Sequence, residues 1–511
     1  MKYGFPAVDL GYAIHAPTYI NVTDSGLKIA GYNNIRFAEP PTGALRFRKP
    51  KTPPPQSPGG IQDGSEYPST DCVSSAPVGI PIPGIDGNHW GQEDCLFLNV
   101  HVPEGVKPGD DVPVVHWIFG SAYAFGSKDN DFTSVDPVGL LGNVEDGGEK
   151  VIFVASNYRL GLYGWMSSPY EESMDANVGL HDGLAAVEWT KQYISRFGGD
   201  PERITVIGQS AGAGIINLML TADGGKGELP FSQAVISSSS LMPRRHVESG
   251  RQEVYEMVLE ASNCTDLQCL LDATPQVLDQ ANNHLIAEVP TGTGGASFGP
   301  GIGFSPVVDG TTVPDEPMVL LSQGNYHKEI KQVLTSNMEY EGMGLSSDEN
   351  MPQAFPELVR INFPTASNET IERIKALFPY PPELPEKLAW DWITSIVYAC
   401  HGQSIAKAYG DKARRYVMTI PPAIHGQDLS YLFFINNATT PVSNVEVARQ
   451  TQSYFMQFIR GEALQEWPTY GTEFNIMDIS EDGFEVKPDP WETSDICPTL
   501  FEVVMDPENG N

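Results

Sequence analysis

A serine flanked by glycines, Gly208-Gln209-Ser210-Ala211-Gly212, follows the β-branched run Ile204-Thr205-Val206-Ile207 and precedes a helical-looking segment from Ile215 to Leu220. A strand that turns into a helix at a G-x-S-x-G sequence holds its serine at a strained elbow, with the hydroxyl free at the sheet edge. The chemistry such a residue offers is nucleophilic attack. A serine hydroxyl is a weak nucleophile until a base takes its proton, and that base is normally a histidine oriented by a buried carboxylate. Both partners are expected downstream, acid before base, on turns that follow later strands.

The run Gln332-Val333-Leu334-Thr335-Ser336 reads as one such strand, with Asn337-Met338-Glu339-Tyr340-Glu341-Gly342 as the turn beyond it. Glu341 is the preferred acid because Gly342 permits a tight turn, whereas Glu339 is expected to face solvent. Of the 10 histidines, His401 and His425 follow that acid. His401 lies in a predicted helix beside Cys400 and reads as a packed or surface residue. His425 follows the strand-like Arg415-Tyr416-Val417-Met418 and the loop Ile420-Pro421-Pro422-Ala423-Ile424, and Gly426 leaves its ring room to reach Ser210. A further stretch raises its own question. The apolar run Val114 to Phe119 stops in Gly120-Ser121-Ala122-Tyr123, which is either an ordinary turn or a surface of backbone N–H groups aimed at a substrate.

These residues need a frame. Apolar runs at 114–119, 151–156, 204–207 and 233–237 alternate with segments of helical spacing, the pattern of a parallel sheet with crossover helices. From Gly183 to Phe197, Leu184, Val187, Trp189, Ile194 and Phe197 share one side of a helix that Gly198-Gly199-Asp200-Pro201 ends. Further helices are expected over 386–409 and 445–460, the latter with a stripe of Val445, Ala448, Tyr454, Phe455 and Phe458. No linker, low-complexity tract or repeat divides the 511 residues, so one domain spanning 1–511 with long insertions is expected.

Lys and Arg number 31 against 65 Asp and Glu, a formal charge of −34, which disfavours nucleic acid and anionic membrane surfaces as partners. No apolar stretch approaches the ~18 residues of a membrane span, and Met1-Lys2-Tyr3-Gly4 lacks a signal-peptide pattern. The 6 cysteines include no CxxC pair, so neither a zinc nor a redox site is expected. Cys264 and Cys269 sit five apart, and Cys72 and Cys95 bracket a Pro/Gly-rich loop. Both pairs suit local loop staples, and free buried thiols are the alternative. Asn-x-Thr sequons at Asn21, Asn263, Asn368 and Asn437 lean towards an oxidising, secretory route.

Several blocks in order carry a family likeness: Phe37-Ala38-Glu39-Pro40-Pro41-Thr42-Gly43 with Leu45-Arg46-Phe47, Glu93-Asp94-Cys95-Leu96-Phe97-Leu98-Asn99-Val100, Asn157-Tyr158-Arg159-Leu160-Gly161, and Phe197-Gly198-Gly199-Asp200-Pro201. Together with the serine elbow they make the chain resemble the type-B carboxylesterase and lipase family, which includes cholinesterases and fungal lipases. The resemblance implies an α/β-hydrolase fold, with Ser210 as nucleophile, Glu341 as acid and His425 as base. It also implies bridges Cys72–Cys95 and Cys264–Cys269, a third between Cys400 and Cys497, and a supporting role for Ser238. Ser121 and Ala122 fall where the family has glycines whose N–H groups bind the oxyanion, with Ala211 as the further donor.

Departures bear on substrate. Ser121 and Ala122 replace glycines, and Gln209 stands where many relatives carry Glu, which removes a negative charge that would attract cationic alcohols such as choline. The resemblance therefore implies hydrolysis of a neutral carboxylic ester through an acyl-serine, with no metal or organic cofactor. Two other readings stay open: acyl transfer or cyclisation by a tailoring enzyme of secondary metabolism with the same triad, and a non-catalytic interaction protein of the same fold. The loop between Cys72 and Cys95 bears Val78, Ile80, Ile82, Ile85 and Trp90, and reads either as an apolar lid or as a stapled loop packed on its own side chains. Acyl chain, alcohol and oligomeric state are not legible here. A secreted or endomembrane protein is expected.

Overall fold

The computed structural model describes residues 4–57, 59–67, 69–79, 84–129, 135–142, 148–288, 297–345 and 351–511. Its frame is an 11-stranded sheet. In chain order the strands are β1 (Tyr19–Val22), β2 (Lys28–Arg36), β3 (Phe97–Pro103), β4 (Val112–Ile118), β5 (Ile152–Ser156), β6 (Gly199–Gln209), β7 (Gln233–Ser237), β8 (Gln332–Met338), β9 (Ala413–Met418), β10 (Asn475–Ser480) and β11 (Gly483–Pro488). Their spatial order is β11-β10-β9-β8-β7-β6-β4-β5-β3-β2-β1. Strands β4 to β10 pair in parallel, and antiparallel strands close both edges. Every residue of β4, β5 and β7 is buried, as befits a parallel sheet covered on both faces, and this explains why those runs are continuously apolar rather than alternating.

The helices that matter for the site are α1 (Val178–Tyr193), α2 (Ala211–Thr221), α3 (Lys387–Ile393), α4 (Cys400–Tyr409), α5 (Asp428–Leu432), α6 (Val445–Arg460) and α7 (Ile496–Met505). Helix α6 occupies the expected residues. Helix α1 begins five residues before the expected start at Gly183. Asp182, the fifth residue of this helix, is buried against Arg159 in a two-pronged ion pair. The turn Ile194–Phe197 continues α1, and Gly198 caps it at φ +101°. The segment expected as one helix over 386–409 is helical throughout, but Thr394–Ala399 form a π turn between α3 and α4.

Three disulfides join Cys72 to Cys95, Cys264 to Cys269, and Cys400 to Cys497. The last ties α4 to α7. In the Cys72–Cys95 loop, Ser74–Ser75 pair with His89–Trp90, and Ser75 N donates to Ala124 O at 3.0 Å. Ile85 is buried, Trp90 half-buried and Val78 exposed, while Ile80 and Ile82 lie outside the described residues. The described part thus packs on itself and on the segment after Tyr123, as a stapled loop does. No described helix is long and apolar enough to cross a membrane.

Candidate active site

Strand β6 runs straight into α2, and Ser210 is the residue between them, at φ +58° and ψ −125°. That backbone conformation is costly for a residue with a Cβ and is held by its surroundings. The flanking glycines are required by contact. A Cβ on Gly208 would fall 2.6 Å from the carbonyl carbon of Gly212, and one on Gly212 only 2.1 Å from Ile118 O. Ser210 N donates to Ser237 O, and Ser210 O accepts from Gly214 N and Ser240 N. The elbow is therefore clamped from β7 and the segment beyond it.

His425 reaches Ser210 from the loop after β9. Its Nε2 lies 2.8 Å from Ser210 Oγ, and its Nδ1 lies 2.5 Å from Glu341 Oε2. Glu341 is fully buried on the turn after β8, while the His425 side chain keeps 18% of its surface. The second carboxylate oxygen, Oε1, accepts from Ser238 Oγ and from Met338 N, both at 2.6 Å. Gly342 N donates to Thr394 Oγ1, which fixes the turn to the π segment. Glu339, by contrast, is half-buried at the rim of the turn, with its backbone N–H donated to Met418 O. His401 is buried away from this cluster, donating from Nε2 to Leu241 O at 3.1 Å, and burial lowers its pKa to about 4. Gln209 is buried beside the base, its Nε2 3.4 Å from His425 Nε2.

The Gly120–Tyr123 stretch lies against the elbow. A Cβ on Gly120 would sit 2.7 Å from Gln209 O and 2.9 Å from Ser210 Cβ, so only glycine permits this approach. Ser121, Ala122 and Tyr123 follow with φ of +72°, +50° and +62°. Three successive non-glycine residues in the left-handed region are costly, roughly 1–2 kcal/mol each. This chain therefore keeps the backbone course that glycines would allow while carrying side chains there. The brace is visible: Tyr158 donates its hydroxyl to Phe119 O and Gly120 O and stacks on Phe119, and Tyr123 OH donates to Ser240 O. Ala211 N begins α2 next to Ser210, where the first N–H groups of a helix lack intrahelical partners.

The carboxylesterase family profile matches residues 18–390. This chain belongs to the carboxylesterase family. Among curated members, it is 28% identical over 547 residues to "Carboxylesterase patB" of Penicillium expansum, covering 94% of this chain and 93% of that protein. It is 31% identical over 360 residues to "Secreted triacylglycerol lipase LIP1" of Gibberella zeae, covering 64% of this chain and 57% of that one. Among solved structures, Aspergillus niger EstA superposes with a TM-score of 0.81 at 25% identity, covering 98% of both chains. The fold is that of an α/β-hydrolase esterase, and the protein is a carboxylic ester hydrolase by family.

Several supports of this carboxylesterase site carry no signal of their own in the sequence. Thr394 and Tyr398 lie inside a helical stretch, and nothing local tells that their turn widens towards the site. Asp428 lies buried three residues after His425 and accepts from Tyr416 OH at 2.8 Å. Burial, with Glu341 nearby, pushes its pKa up to about 6. The block Asn157-Tyr158-Arg159 was visible as a family motif. Its mechanical role emerges only here: Asn157 Nδ2 donates to Thr70 O and Cys95 O, Tyr158 holds the backbone at Phe119 and Gly120, and Arg159 holds α1 through Asp182.

Proposed function

We propose that this carboxylesterase hydrolyses a neutral ester through an acyl-Ser210 intermediate, with His425 as base and Glu341 as the acid that orients it. The observation that carries this reading is the unbroken hydrogen-bond chain Ser210–His425–Glu341 on three separate loops. His425 Nε2 takes the serine proton as Oγ attacks the ester carbonyl carbon. The imidazolium then returns that proton to the departing alkoxide, and the alcohol leaves. A water deprotonated by the same nitrogen attacks the acyl-serine, the carboxylic acid departs, and Ser210 regains its hydrogen.

The N–H groups of Ser121, Ala122 and Ala211 are read as the donors to the oxyanion of both tetrahedral intermediates. Ser238 supports Glu341, and the uncharged Gln209 leaves the site without the anion that would favour cationic alcohols. Three disulfides, exposed sequons at Asn263, Asn368 and Asn437, and the secreted lipase among its relatives together support passage through an oxidising secretory compartment.

A serine-reactive phosphonate tests the assignment. It is expected to label Ser210 alone, and Ser210→Ala is expected to abolish labelling and reduce turnover by several orders of magnitude. Stoichiometric labelling of the alanine variant would show the nucleophile to be elsewhere. Product analysis of a leaving-group panel with an acceptor alcohol present separates hydrolysis from acyl transfer.

A further inference from the structure

The π turn between α3 and α4 runs behind the triad and touches it twice. Thr394 Oγ1 holds Gly342 N, next to Glu341, at 3.0 Å. Four residues on, the Tyr398 ring lies against the His425 imidazole, with centroids 4.6 Å apart and planes tilted by 38°. Tyr398 is fully buried, and its hydroxyl is hydrogen-bonded to the Ser240 side chain. Ser240 is itself a junction, because its N–H donates to Ser210 O and its carbonyl accepts from Tyr123 OH. One tyrosine thus bears on the face of the base and, through Ser240, on the serine elbow and the strained 121–123 turn.

We infer that Tyr398 is a positioning residue for His425: its ring face holds the imidazole in line with Ser210 Oγ and Glu341 Oε2 and favours the imidazolium that forms when the serine proton is transferred. The inference rests on the triad chemistry proposed above. A cation within about 6 Å of an aromatic centroid is attracted by the negative face of the ring, more strongly when both are shielded from water. The neutral imidazole gains only dispersion from the same contact. The ring therefore acts selectively on the charged state, which arises on the way to each tetrahedral intermediate.

The groups facing His425 from the packed elements are few. They are Glu341 after β8, the uncharged Gln209 and Ser210 at the end of β6, and Asp428 on α5, bonded to Tyr416 of β9. None of these contacts Tyr398 by a hydrogen bond among those described, so they are retained when residue 398 is changed.

The test is the pH dependence of kcat/KM for one activated ester, measured on the full chain with Tyr398→Phe and Tyr398→Leu. Tyr398→Phe keeps the ring but loses the hydroxyl's bond to Ser240, so the acid limb is expected to keep its position even where the plateau falls. Tyr398→Leu is expected to lower the plateau by about 2- to 30-fold and move the acid limb to lower pH by roughly 0.4–1.5 units, because the imidazolium loses its partner. A packing defect alone would lower the rate without moving the limb. Fluorinated phenylalanines at 398 keep the shape while weakening the negative face, so they serve if the leucine variant does not fold, and the limb should move down stepwise with fluorine number. A folded Tyr398→Leu enzyme, or a fluorine series, with an unmoved acid limb overturns the inference. Failure of the triad reading shows separately, as wild-type protein that the phosphonate does not label at Ser210.

Discussion

Replacing Glu341 by glutamine probes the site with the least change of shape. Oε1 of Glu341 accepts two hydrogen bonds, from Met338 N and Ser238 Oγ, and Oε2 faces His425 Nδ1. A glutamine can direct its oxygen to only one of these sides. The Met338 N–H is fixed in the backbone, and opposing it with a buried amide N–H would leave donors unpaired at a cost of about 1–3 kcal/mol. The amide oxygen therefore stays with Met338 and Ser238, and the NH₂ group faces His425. The imidazole must then present Nδ1 as a lone pair and carry its proton on Nε2, where it meets the Ser210 hydroxyl as a second donor. A base in the wrong tautomer cannot accept the serine proton, and the expected loss in kcat is on the order of 10⁴-fold, or ~5.4 kcal/mol. Steady-state kinetics of Glu341→Gln, with thermal unfolding as the folding control, measure it. A folded variant turning over within about tenfold of wild type would refute the tautomer reasoning, whereas loss of folding would point to Ser238 and Met338 as the elements that tolerate no amide.

Ser121→Gly and Ala122→Gly keep the N–H groups and relieve left-handed strain of roughly 1–2 kcal/mol per residue against a glycine entropy cost of about 0.5–1 kcal/mol. Each is therefore expected to leave kcat within about tenfold and stability unchanged or modestly higher by urea unfolding. A hundredfold loss of kcat in a stable variant would show that the side chains, not the N–H groups, do the chemistry. Proline is no substitute probe, since its φ of about −65° cannot replace the +50° of Ala122. Burial lowers His116 to about 3, and His15, His101, His181 and His401 to about 4, so the folded state refuses protons that the unfolded chain takes up below an ordinary imidazole pKa. Their stability contribution is present above ~6.5 and lost as pH falls towards ~4. Glu316 and Asp428, pushed up by burial to about 8 and about 6, act in the opposite sense, as do Asp71, Glu188 and Asp391, which burial raises less strongly than it lowers the five imidazoles. Denaturant unfolding free energy should therefore fall on acidification across that window, and a flat profile would contradict the burial of these rings. Removing the Cys400–Cys497 bridge, which closes a separation of 97 residues, should cost on the order of 2–5 kcal/mol in the Cys400→Ala/Cys497→Ala protein, and an unchanged urea midpoint would refute it.

What the sequence determined by itself is local or ordered along the chain. The elbow at Ser210 is a strand, a tight turn and a helix written within 17 residues, 204–220, so its geometry follows from glycine placement and β-branched propensity. Chain order narrowed the partners to Glu341 and His425, and the structure brings those two side chains to Ser210 rather than Glu339 or His401. Continuous apolar runs announced the parallel strands because burial on both faces removes the need for polar alternation. The tertiary structure alone decided the rest. The helix expected from Gly183 begins at Val178, and its buried Asp182 is paired by Arg159, 23 residues away in sequence. Ser121 and Ala122 looked like departures from a glycine turn, but Tyr158 and Tyr123 anchor that turn in the left-handed region, a constraint no local pattern encodes. Tyr398 lies in the π turn between α3 and α4, and its ring meets that of His425 on the loop after β9. Local propensity reaches only a few residues. Glu341 and His425 lie 84 residues apart and Ser210 and His425 lie 215 apart, and only the packed sheet brings them within hydrogen-bonding distance.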